Sequence, residues 1–306
     1  MTDKIYDYVI VGAGFSGLHL ADHLKNHRNK EVLVLEKSRG VGGRMATRRD
    51  GEFTFDHGAQ FIKNDELMNS SIKRWSDKGL LRTISSDHFS AIGGMTKLAK
   101  DLAAQLNIEL ERKVIKISWL DNKWLIEDDQ THSWFAHQVI VTAPVPQILE
   151  LLERSSIKYP QDLQQIHYAK ALVFITKGES STSESAYREI SNSYIFSVSS
   201  QKLKGTSNSP CQVIVMGPEW SNTHFDESDE VIMKFGREVL IKELPELHVD
   251  NLQLKKWRYA FPLNVYHQDF LALENGLYLS GDGFSAGNLN GALKSAKTLM
   301  STLMLS

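Results

Sequence analysis

The chain has 306 residues, of which 42% are hydrophobic and 24% charged, and its formal net charge is −2. This composition is typical of an ordinary globular protein and does not indicate nucleic acid or an anionic membrane as a partner. The only cysteine, Cys211, excludes a disulfide framework. An apolar strand pattern begins too early for a signal peptide, and no apolar run approaches the length of a bilayer span, so we expect a cytoplasmic protein.

The N-terminal segment has the pattern of a dinucleotide-binding βαβ unit. An apolar run over residues 8–11 is followed by Gly12, Gly14 and Gly17, then by a helical pattern, and a second apolar run ends at Glu36. Gly12 permits a tight turn, Gly14 lets the backbone approach a pyrophosphate, and Gly17 lets the helix pack closely on the sheet. The helix N-terminus would attract the phosphates, and Glu36 would accept hydrogen bonds from ribose hydroxyls. The segment therefore predicts a dinucleotide site, and the carboxylate disfavours an NADP-type ligand there.

A second glycine-rich segment follows Glu36 and ends at Arg44. Gly40, Gly42 and Gly43 would allow this loop to fold back over the pyrophosphate. Arg44 would supply a cation for the phosphates.

The pattern Glu-Lys-x-x-x-x-Gly-Gly-Arg at 36–44 resembles the flavin amine oxidase superfamily, which binds FAD. The resemblance continues over the whole chain, at residues 56–61, 92–95, 139–144, 277–282 and 289–303. Within the superfamily the chain resembles the renalase-like proteins, through three segments. These are Lys-Ser-Arg-Gly-x-Gly-Gly-Arg-Met at 37–45, Asp-x-Gly-Ala-Gln at 56–60 and Trp-x-Tyr-Ala-x-Pro at 257–262.

The resemblance implies a set of FAD-binding residues. They are Gly12, Ala13, Gly14, Phe15, Ser16, Gly17, Glu36, Lys37, Gly43, Arg44, Met45, Ala59, Gln60, Val114, Gly281, Asp282, Leu289 and Asn290. Asp282 would accept hydrogen bonds from the ribityl hydroxyls, and amide groups at the start of the last helix would stabilise charge on the reduced flavin. Asn290 stands where the family usually has Glu. Cys211 lies far from these motifs, so the FAD is expected to be non-covalent.

Four residues are expected to serve catalysis by the same resemblance: Gln60, Trp257, Tyr259 and Asn288. Many amine oxidases of the superfamily have a Tyr where Asn288 stands, and that Tyr forms one wall of an aromatic cage around the substrate amine. Trp257 and Tyr259 either line the pocket or pack in the core, and the sequence leaves both alternatives open.

No local pattern of a nucleophile or an acid–base pair stands out, and hydride transfer to a flavin needs only a well-placed donor. The resemblance implies oxidation of dihydronicotinamide isomers of NAD(P)H, with reoxidation by molecular oxygen to give hydrogen peroxide. One alternative is an amine oxidase or a desaturase acting on a hydrophobic substrate. Another is a non-catalytic flavin- or dinucleotide-binding module.

The elements alternate in type, which predicts an α/β fold. A doubly wound, Rossmann-like FAD-binding domain is expected to interleave with a substrate domain built on an antiparallel sheet. The dispersed motifs assign residues 1–62, 88–146 and 263–306 to the FAD-binding domain. Residues 63–87 and 147–262 are then assigned to the substrate domain.

Local patterns in the middle of the chain predict the parts of the substrate domain. Antiparallel strands are expected at 170–177, 194–200 and 212–217, and a helix at 229–244. Residues 178–185 and 202–210 are rich in Ser, Thr, Gly and Asn and are predicted to be exposed loops.

The first helix carries His19, His23 and His27 at i, i+4 and i+8. Neighbouring pairs at this spacing are able to chelate a metal, but we interpret them as a polar stripe on a surface helix. With no cysteine cluster or His-Glu-x-x-His pattern, no metal site is predicted.

Overall fold

The structure, a computed structural model, describes residues 4–178 and 185–304, without the side chain of His27. The chain divides into two compact units. The first unit consists of Met1–Gly43, Ala99–His167 and Pro262–Ser306. The second unit consists of Arg44–Leu98 and Tyr168–Phe261.

The regular elements follow one another in mixed order along the chain. The strands are β1 (Ile5–Val11), β2 (Val32–Glu36), β3 (Thr47–Asp50), β4 (Phe53–Asp56), β5 (Ile62–Lys63), β6 (Leu81–Thr83), β7 (His88–Ala91), β8 (Ile108–Leu110), β9 (Val114–Leu120), β10 (Lys123–Asp128), β11 (Ser133–Val141), β12 (Tyr168–Lys177), β13 (Tyr187–Glu189), β14 (Ile195–Ser200), β15 (Cys211–Met216), β16 (Gln253–Pro262), β17 (Leu271–Leu273) and β18 (Leu277–Leu279). The helices are α1 (Phe15–Arg28), α2 (Asn69–Asp77), α3 (Thr96–Ala103), α4 (Val145–Arg154), α5 (Pro218–His224), α6 (Asp229–Glu243) and α7 (Leu289–Leu303).

The first unit is built on a sheet whose central strands are parallel, in the order β18-β11-β1-β2-β8. Val11, the last residue of β1, lies opposite Leu35 on one side and Val141 on the other. The carboxyl ends of three neighbouring strands therefore meet at one edge, where α/β sheets bind ligands. Residues in the middle of the sheet, such as Val9, Val34 and Ile140, are completely buried, as expected for a parallel sheet covered on both faces. The prediction of a Rossmann-like α/β fold is confirmed.

The second unit is built on a sheet in the order β13-β14-β15-β12-β16. β15 is antiparallel to both β12 and β14, with Phe174 opposite Ile214. One face packs against a cluster that includes Trp220 and Ile232 from the helices α5 and α6. On the other face, Phe55 of the β3–β4 hairpin packs in a second cluster. The predicted antiparallel sheet is confirmed.

The segment 202–210 is a loop, as predicted, but the prediction that it is exposed is wrong for part of it. Within residues 202–210, Lys204 is completely buried, and Thr206 and Ser207 are 2% and 5% exposed. The reason is that their polar groups bind other buried groups, which composition does not reveal: Thr206 Oγ1 donates to Asp56 and Ser207 Oγ accepts from Thr54 N. The other predicted loop, 178–185, lies mainly outside the described residues.

The contact-based units and the predicted domains differ in detail. Residues 44–62 and 88–98, assigned from motifs to the FAD-binding domain, lie in the second unit. Residues 147–167, assigned to the substrate domain, lie in the first. The functional division into domains stays a prediction.

Within the described parts of the chain, no helix has both the length and the hydrophobicity that are needed to cross a lipid bilayer.

Candidate functional site

The turn from β1 into α1 needs glycine at two positions because neighbouring backbone comes very close. Gly12 has a φ of +108°, and a Cβ there would lie 2.8 Å from Thr142 Oγ1. A Cβ on Gly17 would lie 2.1 Å from the carbonyl oxygen of Gly12. Gly14 differs, because a Cβ there would meet nothing within 4 Å. The turn thus keeps open space beside Gly14, where a phosphate is able to approach the backbone.

The N-terminus of α1 also has the electrostatic character of an anion site. Gly14 is the N-cap residue, so no side chain caps the helix, and the first turn contains no acidic residue. The first N–H groups of a helix have no partner within the helix and lie at the positive end of its dipole. Phe15, Ser16 and Gly17 belong to this first turn. The arrangement is suited to a diphosphate.

The second glycine segment folds back onto this turn. Gly42 N donates to Ala13 O at 2.8 Å, and a Cβ on Gly43 would lie 3.3 Å from the Cα of Gly14. Gly43 has a φ of +54°, a conformation that favours glycine. The two glycine segments therefore approach each other at backbone distance.

Glu36 lies at the end of β2, with a side chain held by backbone N–H groups of both glycine segments. Its Oε2 accepts from Ala13 N at 2.8 Å, and its Oε1 accepts from Ser38 N at 2.8 Å. Only 6% of the residue is exposed. A carboxylate has about four lone-pair positions, so two remain to accept from a ribose diol.

Two further predicted residues of the first unit lie near Glu36. Lys37 follows it in sequence, and Val114 lies near it in space. Arg112 N donates to Glu36 O at 2.9 Å, which brings the start of β9 at Val114 near this strand end. Lys37 Nζ donates to Gln147 Oε1 at 2.9 Å. Desolvation lowers the pKa of Lys37, against the raising effect of Glu36.

Three buried serines connect the phosphate turn to the last strand and the last helix. Ser16 Oγ lies 3.0 Å from Ser280 Oγ, which lies 2.9 Å from Ser295 Oγ. Ser295 Oγ also accepts from Gly281 N at 2.9 Å. Gly281 has a φ of +139° and directly precedes Asp282, which is 5% exposed. The serine connection was not predicted, because isolated serines carry no signal in a sequence.

Asn288 is the N-cap residue of α7. Its Oδ1 accepts from Gly291 N at 2.8 Å, as helix-capping side chains do. Leu289 and Asn290 form the first turn of this helix. The structural role of Asn288 is therefore clear, while a catalytic role stays a prediction.

In the second unit, a buried ion pair occupies the start of the 56–60 segment. Asp56 Oδ1 accepts from Thr47 Oγ1 at 2.6 Å and from Met95 N at 2.9 Å. Its Oδ2 accepts from Thr206 Oγ1 at 2.9 Å and from Lys204 Nζ at 3.3 Å. The Asp56 and Lys204 side chains are both fully buried. Burial lowers the pKa of Lys204, and the Asp56 carboxylate opposes that effect.

The Gln60 carboxamide is fully used inside the second unit. Its Oε1 accepts from Lys204 Nζ at 2.9 Å and from Ser199 Oγ at 2.7 Å. Its Nε2 donates to the carbonyl oxygens of Asp56 and Gly58. The Gln60 side chain thus fixes the conformation of the 56–60 segment. A role of Gln60 at a flavin ring stays a prediction. Such a role would depend on the position of the side chain and not on a free N–H group.

Arg44 joins several predicted residues around an aromatic pair. Its carbonyl oxygen accepts from Ala59 N at 2.9 Å, and its Nη1 donates to Ala260 O at 3.3 Å. Its guanidinium carbon lies 5.8 Å from the ring centroid of Tyr168, and the Tyr259 ring meets that of Tyr168 edge-to-face at 5.9 Å. Sequence reasoning missed Tyr168, which stands at the first position of β12 and belongs to no quoted motif.

The neighbouring Met45 is completely buried, and its carbonyl oxygen accepts from Thr96 Oγ1 at 2.8 Å. It therefore anchors the segment that follows Arg44.

Trp257 holds the His57 backbone. Its Nε1 donates to His57 O at 2.7 Å, and the two rings stack with centroids 5.4 Å apart. The His57 Nδ1 atom is buried and has no hydrogen-bond partner among the described residues. Burial, followed by the nearby Lys255 ammonium, lowers the pKa of His57 to about 4, so the ring is neutral at neutral pH.

The predicted site residues fall into two groups. The first unit brings together Gly12, Ala13, Gly14, Phe15, Ser16, Gly17, Glu36 and Gly43 at one sheet edge, and it also contains Lys37, Val114, Gly281, Asp282, Asn288, Leu289 and Asn290. The second unit contains Arg44, Met45, Ala59, Gln60, Trp257 and Tyr259. The open approach at Gly14, the uncapped helix and the buried acid of the first group fit a dinucleotide cofactor.

Among the described residues, no group of three His, Cys, Asp or Glu side chains is placed to hold a metal ion. His19 packs edge-to-face on the Phe15 ring at 4.6 Å. The His27 side chain lies outside the described residues.

Comparison with known proteins identifies two family matches. The family described as "Flavin containing amine oxidoreductase" matches residues 74–299. The family described as "NAD(P)-binding Rossmann-like domain" matches residues 10–74.

Among individual proteins, the renalase of Mus musculus is 25% identical over 334 residues, which cover 96% of this chain and 98% of that protein. A putative protoporphyrinogen oxidase from Exiguobacterium sp. 255-15 has a similar structure, with a TM-score of 0.80, 14% identity and 99% of each chain covered. Cyclohexylamine oxidase from Brevibacterium oxydans gives a TM-score of 0.74 at 13% identity, over 98% of this chain and 99% of that one. At such identities the two structures show the fold alone.

We expect Lys204→Met to lower the free energy of unfolding by about 3–5 kcal/mol, because it leaves the Asp56 carboxylate buried without its cation. The matched control is Lys202→Met, because Lys202 lies two residues away and is exposed. This control should change the free energy of unfolding by less than about 0.5 kcal/mol. Urea unfolding followed by tryptophan fluorescence measures both. Equal stability of the two variants would contradict a structural role for the pair.

A pH dependence should follow from His57. Its pKa is about 4 in the folded chain and 6.5 in the unfolded one, so the unfolded state binds more protons between these values. The free energy of unfolding should therefore fall as the pH is lowered from about 6.5 to 4. Urea unfolding at about pH 6.5 and at about pH 4 measures this fall. In the His57→Gln variant the free energy of unfolding should fall less between the two pH values than in wild type. An identical fall would rule out the contribution of His57.

Proposed function

Because the chain belongs to the flavin-containing amine oxidoreductase family, we propose that it is an oxidase that binds FAD non-covalently and oxidises dihydronicotinamide isomers of NAD(P)H. The family makes it a flavin-dependent oxidoreductase with a small-molecule substrate. The form of the flavin, the substrate and the electron acceptor are the parts that we propose.

The geometry of the first unit supports FAD over a flavin mononucleotide. Gly14 leaves space for a diphosphate at the uncapped N-terminus of α1. The Glu36 carboxylate, held between the glycine segments, is a ready acceptor for the hydroxyls of an adenosine ribose. A diphosphate and an adenosine ribose are the groups that FAD has and the mononucleotide lacks.

Non-covalent binding is supported by the state of Cys211. This residue is completely buried, in a cluster with Phe55 and Val213. Burial raises the pKa of its thiol, so the nucleophilic thiolate is disfavoured. A cysteinyl link to the flavin would need that sulfur to be accessible.

The observation that carries the substrate proposal is the end-to-end match to mouse renalase, which spans 96% of this chain and 98% of the other. It agrees with the renalase-like segments at 37–45, 56–60 and 257–262. That resemblance implies a dihydronicotinamide substrate.

The chemistry of the second unit agrees with such a donor. Gln60 and Trp257 use their N–H groups within the protein, and the neutral His57 ring has a low proton affinity. A dihydronicotinamide that loses hydride regains an aromatic ring and needs no base to remove a proton. A bound flavin would supply the hydride acceptor and would return two electrons to an acceptor, for which we propose molecular oxygen, with hydrogen peroxide as the product.

The second candidate function is amine oxidation. It is favoured by the edge-to-face pair of Tyr168 and Tyr259, since aromatic rings are suited to hold an amine. It is opposed by Asn288, which caps α7 where many amine oxidases have a cage Tyr.

Cofactor binding should depend on the open space at Gly14. Gly14→Val should abolish FAD binding, because its side chain would occupy the phosphate approach. Arg44→Ala should weaken binding by roughly ten- to a hundredfold, the loss expected for one charge-assisted contact of about 1.5–3 kcal/mol. Titration of the apoprotein with FAD measures both, with the exposed Arg39→Ala as the control. Unchanged affinity in Gly14→Val would exclude this site.

Substrate choice should be visible in the flavin spectrum. Dihydronicotinamides with the hydride at ring position 2 or 6 should bleach the bound flavin within seconds in anaerobic stopped-flow experiments. Ordinary 4-dihydro NADH should be slower, because its hydride would sit at the wrong ring atom and transfer needs contact at about 3–3.5 Å. Primary amines should not bleach it. Fast bleaching by benzylamine, with none by the isomers, would favour the amine oxidase instead.

A further inference from the structure

A patch of the second unit carries more positive than negative charge. Arg48 lies on β3 and Lys255 on β16, and Lys177 lies at the end of β12. We name these three residues the basic patch. Asp50, the last residue of β3, is an acid beside this patch, and its carboxylate is already paired with Lys177 Nζ at 3.0 Å.

The period of two along each strand shows that Arg48 and Lys255 face the same region. On β3, Arg48 shares a face with Asp50, whose Oδ2 accepts from Gln253 Nε2 at 2.8 Å. On β16, Lys255 shares a face with Gln253 and with Trp257, which binds the His57 backbone. Lys255 thus lies between a contact of β16 with Asp50 of β3 and a contact of β16 with His57, which directly follows β4.

Neither cation forms an ion pair or a side-chain hydrogen bond among the described residues, although the Arg48 charge adds to the effects of Gln253 and Lys177 that lower the pKa of Asp50. Their immediate neighbours in sequence, by contrast, are partnered on the opposite strand faces. Arg49 Nη2 donates to Gly93 O at 3.3 Å, and Lys256 Nζ lies 3.3 Å from Asp229 Oδ1. Arg49 and Lys256 therefore already have partners on their faces of the two strands, whereas Arg48 and Lys255 have no ion pair on theirs.

The two cations also affect the groups around them. Lys255 is half-buried, and burial together with the Arg48 guanidinium lowers its pKa. Both cations contribute to the low pKa of His57. The acid next to His57, Asp56, is already paired with Lys204. An anion between Arg48 and Lys255 would remove this repulsion.

We propose that Arg48 and Lys255 bind the diphosphate of the nucleotide substrate. The inference rests on the proposed function, because the diphosphate of a dihydronicotinamide dinucleotide carries two negative charges, which the charges of Arg48 and Lys255 match. The dinucleotide features of the first unit serve the cofactor, so a dinucleotide substrate needs a separate phosphate site. The guanidinium offers a fork that matches two phosphate oxygens, and the ammonium offers a point charge.

The decisive variant is the double substitution Arg48→Gln/Lys255→Gln in the FAD-loaded protein. Its matched control is Arg49→Gln/Lys256→Gln, which removes the same two charges one residue further along each strand. Calorimetric titration with inorganic pyrophosphate and with ADP-ribose measures binding directly. We expect wild type and control to bind both, and the Arg48/Lys255 variant to bind at least about tenfold more weakly.

Steady-state kinetics then connect the patch to the substrate. The KM for the dinucleotide isomers should rise at least about tenfold in the Arg48/Lys255 variant, with kcat within about twofold of wild type. The KM for the corresponding dihydronicotinamide riboside, which lacks phosphate, should not change. An equal rise for the riboside would overturn the assignment to the diphosphate.

Two other outcomes overturn the proposal: failure of the wild type to bind pyrophosphate and ADP-ribose at millimolar concentration, or equal weakening in the control variant. If no dihydronicotinamide isomer reduces the flavin, the proposed function fails. The pyrophosphate titration then decides by itself whether the patch is an anion site.

Discussion

The close packing of backbone at the carboxyl end of β1 is the constraint on which the first unit depends. Gly12 and Gly17 have no room for a Cβ, because Thr142 and the Gly12 carbonyl oxygen occupy that space. This packing seats α1 on the sheet and points its N-terminus at the strand edge. Gly14, between them, has open space instead. The same turn is therefore tight where it joins the sheet and open where a phosphate approaches.

Polar groups, as well as apolar ones, hold this arrangement. Glu36 ties the two glycine segments through their backbone N–H groups, and Ser16, Ser280 and Ser295 connect three elements through buried hydroxyls. The Glu36 carboxylate and the three serine hydroxyls each have a hydrogen-bond partner, which avoids the free-energy cost of a buried polar group without one. Parallel strands alone would bring the segments together, but these bonds hold them at defined distances.

In the second unit, charged side chains occur in two settings, one buried and ion-paired and one without an ion pair. The Asp56–Lys204 pair is completely buried and surrounded by further donors and acceptors, as a stable buried pair requires. Arg48, on β3, and Lys255, on β16, form no ion pair among the described residues. The buried Asp56–Lys204 pair holds the fold, whereas Arg48 and Lys255 are the cations that we propose for the anionic ligand.

The sequence by itself determined the βαβ unit, the antiparallel strands of the middle region and the helix that begins at Asp229. Glycine spacing, β-branched content and helical periodicity are local, so neighbouring residues are enough to reveal them. Only the tertiary structure decided that Gln60 uses its whole carboxamide internally, that Asn288 caps a helix and that Lys204 is buried in a segment that reads as an exposed loop. Lys204 meets Asp56 across 148 residues of chain, and a contact between such distant positions depends on how the sheet and its hairpin pack, which no local pattern records.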